Sequence, residues 1–516
     1  MKLFKAPTLL LFLFALQQIT AQINDLSQLS QGEFTRFSAL FDNEEELFGY
    51  VAQFSLGETA KNEFTFEVAV YDKNLNRLFV QSLIGDKSVE DYSLFLNAKN
   101  ELIASPNINL GSIGIGQAMK GSPSKVYKIN TSTGQLSNFE IPCFIAGELM
   151  DCSEMSNKDL SKKMKAHKKK TGFFEDGIGI ELIETGNFLV TTRRTKNYQT
   201  WTNNQIRMFD DNNEELWSFE YNKKAKKNKY EKARIINYTS KEVNLLLKRV
   251  NKKKTELFYK VIDATTGKVV ISQPIEGLSS EAIDYLYSSK SNMIKKTKNE
   301  QSVISAAIIE GKKNTTKGVF VAFIDETNQL NYKVIDFKTH LSNFIDQKIQ
   351  KKGTIDGYNL YPLDVLLNDD GSFRVLSEMM KYEFSVVKNR IKSVMDIYVM
   401  EFDQQLNLQH VDVIEKNKSK QERPGYMYSQ KIADLNNTVF FYKDYVADEN
   451  AKKDQLTLFI NSYQDNQLQQ DKLQLSSMNG DYKITPFVAK SGYILLHEYN
   501  KEEQRNQIRL ERLNMY

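Results

Sequence analysis

The feature that most limits what this chain can fold into is a hairpin that recurs along its whole length. A strand, a turn rich in Asp, Asn and Gly, and a second strand appear as VAVYDKNLNRLFVQSL (68–83), KVYKINTSTGQLSNFEI (125–141) and QIRMFDDNNEELWSFEY (205–221). They appear again as LFYKVIDATTGKVVISQPI (257–275), VFVAFIDETNQLNYKVIDF (319–337), DIYVMEFDQQLNLQHVDVI (396–414) and LTLFINSYQDNQLQQDKLQL (456–475). Each copy alternates apolar and polar residues at period two, the pattern of a half-buried strand. Each turns on residues that tolerate tight or left-handed backbone. A second hairpin precedes every copy, at 41–54, 96–108, 182–194, 237–250, 296–309, 366–379 and 432–445. An eighth, FVAKSGYILLHEY (487–499), is followed only by the strand QIRLERLNMY (507–516). The repeating unit is therefore four antiparallel strands joined by short polar turns, spaced roughly 55–80 residues apart, with the excess over a compact repeat of ~40–50 held in loops.

This layout resembles the β-propeller proteins. Segments IDATTGKVV (262–270) and INTSTGQLSNF (129–139) are similar to the blade motif of quinoprotein-like propellers. The regular blade Trp of that family is missing except near Trp217, and no catalytic or cofactor residue matches. The resemblance thus implies an all-β propeller and no activity. Counting predicts eight four-stranded blades, the segment after Gln22 supplying the strand that the last blade lacks; seven result if one hairpin pair is over-read. Closure of that kind removes exposed sheet edges. The competing architecture is two stacked β-rich domains, dividing near 142–177 and 338–361.

The ends speak to compartment. Lys2 and Lys5, the apolar run Leu9–Leu16 and the small-residue site Ile19-Thr20-Ala21 read as a secretory signal peptide (1–21), cleaved after Ala21 to leave 22–516 as a single domain. No second apolar stretch reaches the roughly 20 residues a spanning helix needs. The expected location is secreted or periplasmic. There, Cys143 and Cys152, with eight residues between them, are expected to form a local disulfide. Losing 1–21 lowers the formal charge from +4 to +2, so charge distribution matters more than net charge.

In a four-stranded blade the two short turns lie at one end and the long connections at the other, where binding residues usually collect. Those connections are basic. Residues 153–170 hold seven lysines against Glu154 and Asp159, and 222–232 hold six against Glu231, a net of +5 each. Read as loops, they offer Lys168, Lys169, Lys170, Lys223, Lys224, Lys226 and Lys227 as ligand-binding candidates, joined by Tyr198 and Trp201 in TKNYQTWTNN (195–204). The glycine-rich LGSIGIGQAMKG (110–121) has the wrong spacing for a dinucleotide loop. The four histidines (167, 340, 410, 497) fall in different repeats, and there is no nucleophile elbow, HExxH or P-loop. No cofactor or metal is expected. The sequence reads as a non-catalytic binding or scaffold propeller with a protein or acidic polysaccharide partner and no nucleic acid. The alternative is a glycan-active hydrolase or lyase with its site at the central channel.

Overall fold

The computed structural model describes residues 22–513 apart from 24–25, 43–45, 62, 86–88, 109–125, 141, 154, 196–202, 223–225, 227, 289–292, 297–301, 311–314, 346–357, 369, 385–388, 418–424, 433–436, 447–454, 465–466, 477–481 and 503–504. Its strands form eight antiparallel sheets with the arrangement of an eight-bladed β-propeller. In chain order, blades 1 to 8 occupy 33–85, 89–138, 174–220, 229–275, 293–336, 359–414, 426–474 and 482–512. Seven sheets have four strands, and that of blade 3 has six. The last blade is completed from the other end of the chain, as the sequence implied: Gln22 pairs with Arg509 and Ile23 with Ile508. Two compact units divide the chain, one holding blades 1, 2 and 8 and the other blades 3–7.

The recurring turn has a common construction. Its first residue is Asp72, Asn130, Asp210, Asp263, Asp325 or Asp403, whose side chain accepts backbone N–H bonds from residues two to four further on. Three or four residues later the backbone turns left-handed at Leu75, Gly134, Asn213, Gly267, Asn328 or Leu406. Leucine pays a steric cost there of roughly 1–2 kcal/mol. Burial offsets it, since Leu75 and Leu406 each insert into a hydrophobic core cluster. Hydrogen bonds from Thr266 hold the Asp263 carboxyl below its ordinary value.

These turns also join blade to blade. In the first unit Gln81 Nε2 donates to the Gly134 carbonyl at 2.6 Å, and a Cβ on Gly134 would meet the Phe79 ring at 3.0 Å. In the second unit Trp217 Nε1 donates to the Ala264 carbonyl at 2.6 Å, and a Cβ on Gly267 would meet the indole at 2.8 Å. Gln273 exchanges two bonds with the Leu330 backbone in the same way. The fourth strand of one blade thus cradles the last turn of the next.

Regular structure also runs into the long connections between strands. Residues 380–395 largely continue the second and third strands of blade 6, Phe373–Phe384 and Asn389–Phe402, into a long hairpin. Lys229 and Lys232 belong to the first strand of blade 4, Lys229–Tyr238. Among the described residues, no helix is long and apolar enough to cross a membrane.

Candidate functional site

The largest departure carries the candidate site. The 153–170 lysine tract, expected as loop, is mostly a helix, α1 (Asn157–Thr171). The local chemistry explains why. Ser156 accepts the Asp159 N–H as N-cap, and the Ser156 hydroxyl holds the Asp159 carboxyl below its ordinary value. Gly172 closes the other end in the left-handed conformation, its N–H bonding the Lys168 carbonyl. Between the caps there is no Gly, Pro or β-branched residue until Thr171. Lys168, Lys169 and Lys170 sit in the last turn, where cations complement the helix dipole.

One face of α1 is anchored. Leu160, Met164, His167 and Thr171 recur at helical spacing and are half-buried. His167 Nε2 lies 3.6 Å from Glu175 of blade 3, whose other oxygen pairs with Arg207 at 3.2 Å. Lys163 pairs with Glu148 at 2.9 Å, and Lys168 Nζ lies 4.1 Å over the Phe174 ring. Lys168, a binding candidate from sequence, is therefore half-buried and faces the blade.

Glu148 belongs to a hairpin, Pro142–Ile145 and Glu148–Asp151, that extends the sheet of blade 3 through the pairing Ile145–Asp176. Cys143 and Cys152 form the expected disulfide across its base, Cα–Cα 5.9 Å. Closing so short a loop contributes roughly 2–3 kcal/mol. The hairpin and blade 3 together form the platform on which α1 rests.

The opposite face is basic and open. Lys158, Lys162, Lys165 and Lys169 are exposed at spacings of four, three and four residues, so they form one stripe, with Lys170 beside it. Among the described residues no carboxylate makes an ion pair with any of the four. Of the second tract, Lys226 is exposed and its backbone bridges Lys229. Lys223, Lys224, Lys227, Tyr198 and Trp201 lie outside the described residues, as do 110–121 and residues 1–21, where a leader was expected.

A second polar constellation, unmarked in the sequence, lies where blades 6 and 7 meet. Asp364, on the first strand of blade 6, accepts hydrogen bonds from the Tyr426 and Ser429 hydroxyls of blade 7. Burial, and then the Asp364 charge, pushes the Tyr426 hydroxyl well above its ordinary value. A phenol so placed stays protonated and donates; it is no general base. Close by, Lys416 pairs with Glu378 at 2.6 Å, both side chains at most 2% exposed. Burial raises the Glu378 carboxyl above its ordinary value and Lys416 opposes the rise. Asp396 and Asp444 accept the N–H groups of Lys416 and Asn417, so this cluster pins the connection between the two blades.

His410 faces Asp412 and His497 faces Asn506, each bonded within its own blade. Among the described residues no three His, Cys, Asp or Glu side chains group to hold a metal ion.

The site therefore belongs to an eight-bladed propeller with an inserted, disulfide-linked hairpin and a basic helix. A family model described as a family of unknown function (DUF6770) matches residues 421–514, which cover blade 7 and nearly all of blade 8. No curated protein matches the chain. Among solved structures it is similar to the polysaccharide lyase Uly1, at 8% identity over 94% of this chain and 90% of that one, TM-score 0.35. It is also similar to the intramolecular trans-sialidase from Ruminococcus gnavus, at 10% identity over 93% and 94%, TM-score 0.29. The acylaminoacyl peptidase of Pyrococcus horikoshii aligns at 9% identity over 92% of this chain and 59% of that one, TM-score 0.33.

Proposed function

We propose that this protein is a secreted, non-catalytic binding propeller whose helix α1 docks polyanions. The observation that carries the reading is the stripe of Lys158, Lys162, Lys165 and Lys169, exposed on a helix whose other face is fixed to blade 3. A rigid platform that presents four like charges on one line raises the local concentration of an opposite charge and steers its approach. The Cys143–Cys152 disulfide agrees with an oxidising compartment and with the leader read at 1–21.

Binding to a heparin-type polyanion should weaken steeply with salt. If each of the four lysines releases about 0.7 of a counterion, affinity should fall about 50-fold between 50 and 200 mM salt. Changing the four to Gln should remove that binding and leave the melting temperature nearly unchanged, because exposed lysines contribute little to stability. Titration calorimetry across a salt series measures the binding, and a thermal melt of each protein measures the stability. Equal binding by wild type and variant would reduce the stripe to a solubilising surface.

The second reading, a glycan-active hydrolase or lyase, would take as its proton donor the Tyr426 hydroxyl, which stays protonated beside Asp364 and Ser429. Turnover of an acidic glycan that is lost in Tyr426→Phe would favour it over the first.

A further inference from the structure

We infer that the ligand of α1 is an extended acidic polysaccharide carrying an anionic group on each sugar residue, an inference that rests on the polyanion reading above. Four properties of the helix select this class. The lysines recur once per turn, about 5.4 Å, and the first and last stand 11 positions apart, about 16 Å of axis. Only a ligand with charges repeated along a line engages all four, and a sugar residue in an extended chain is comparable in length to one turn. The surface is also convex. A small anion needs a concave site with convergent donors, and the helix N-terminus is already capped by Ser156, with Asp159 in its first turn.

The residue types disfavour two other polyanions. Single-stranded nucleic acid is held by basic grooves with aromatic platforms on which bases stack. The sequence of α1, NKDLSKKMKAHKKKT, has no Phe, Tyr or Trp, and its one imidazole, His167, is turned to Glu175. An anionic membrane takes an amphipathic helix by its apolar face. Here Leu160, Met164 and Thr171 are half-buried on the anchored side of the helix. The stripe is also all lysine. Lys is a mobile point charge without the planar fork by which Arg reads carboxylate or phosphate geometry. Selection should therefore follow charge spacing more than the identity of the acid.

The test uses the mature protein with its disulfide intact and galacturonate oligomers of one, two, four and eight residues, which carry one carboxylate per sugar. A hyaluronan octasaccharide, of similar length with half the charge, is the density control. Affinity should rise at least tenfold from the dimer to the tetramer or octamer. Hyaluronan should bind at least tenfold more weakly than the galacturonate octamer. Both differences should vanish in the Lys158→Gln, Lys162→Gln, Lys165→Gln, Lys169→Gln variant. They should persist when the scattered, exposed Lys73, Lys241, Lys253 and Lys268 are changed to Gln instead, which alters net charge equally. Three results would overturn the inference while leaving polyanion binding in place. These are equal affinity for monomer and octamer, equal affinity for hyaluronan, and tighter binding of oligothymidylate or phosphatidylserine vesicles. No binding to any probe would remove the polyanion reading itself.

Discussion

Lys416→Met should destabilise the protein by about 3–5 kcal/mol at pH 7, because it strands the Glu378 carboxylate in a site closed to water. That is a large share of the ~5–15 kcal/mol that usually separates folded from unfolded chains. The pH dependence identifies the cause. Glu378 already titrates above its ordinary 4.5 in the folded protein, and without Lys416 it should titrate higher still. A carboxyl raised on folding contributes its full stability below the unfolded value and loses it as pH rises through the folded one. The deficit of the variant should therefore shrink towards pH 5 and widen towards pH 8. Glu378→Gln added to Lys416→Met should recover much of the loss, since Gln still accepts the Tyr426 N–H and carries no charge. Urea titrations at the two pH values measure this. A pH-independent deficit would mean that lost packing, not an orphaned charge, is responsible.

Trp217→Ala should cost about 3–5 kcal/mol, the range for deleting a large buried aromatic side chain. Gly267→Ala should cost about 2–5 kcal/mol for a different reason. Its φ of +67° is disfavoured for any residue with a Cβ, and that Cβ would fall 2.8 Å from the indole. The two losses should not add. With the indole gone the collision disappears and only the backbone strain remains, so the double variant should be about 1–3 kcal/mol more stable than the sum of the single changes. Strict additivity would place the cost of Gly267→Ala in its backbone alone and detach the turn from the Trp contact.

The same pair shows what the sequence disclosed and what it did not. IDATTGKVV and INTSTGQLSNF stood out because Gly267 and Gly134 fill the left-handed turn position. Elsewhere Asn213, Asn328, Leu75 and Leu406 fill it, and the two leucines do so because each is buried in the core. A turn held by tertiary packing leaves only its initial Asp or Asn as a local mark. The strand plan was legible even so, since alternation at period two survives such exchanges, and so was the strand that Gln22 and Ile23 lend to the last blade. Helix α1 was obscured by its own lysines. A tract with only Leu160 and Met164 as large apolar residues reads as solvated loop. Its marks were the Ser156–Asp159 cap, the four-residue spacing of Leu160 and Met164, and Gly172. The contacts among Asp364, Tyr426, Ser429, Glu378 and Lys416 join residues up to 65 positions apart, and no linear pattern announces them.

The ligand is proposed to meet α1 and not the polar seam between blades 6 and 7. Hydrogen–deuterium exchange of the mature protein with and without the galacturonate octamer tests it most directly. Slowed exchange should be confined to 157–171 and the hairpin beneath it, with the strands bearing Asp364 and Tyr426 unchanged. Protection centred on those two strands, with α1 unaffected, would contradict it.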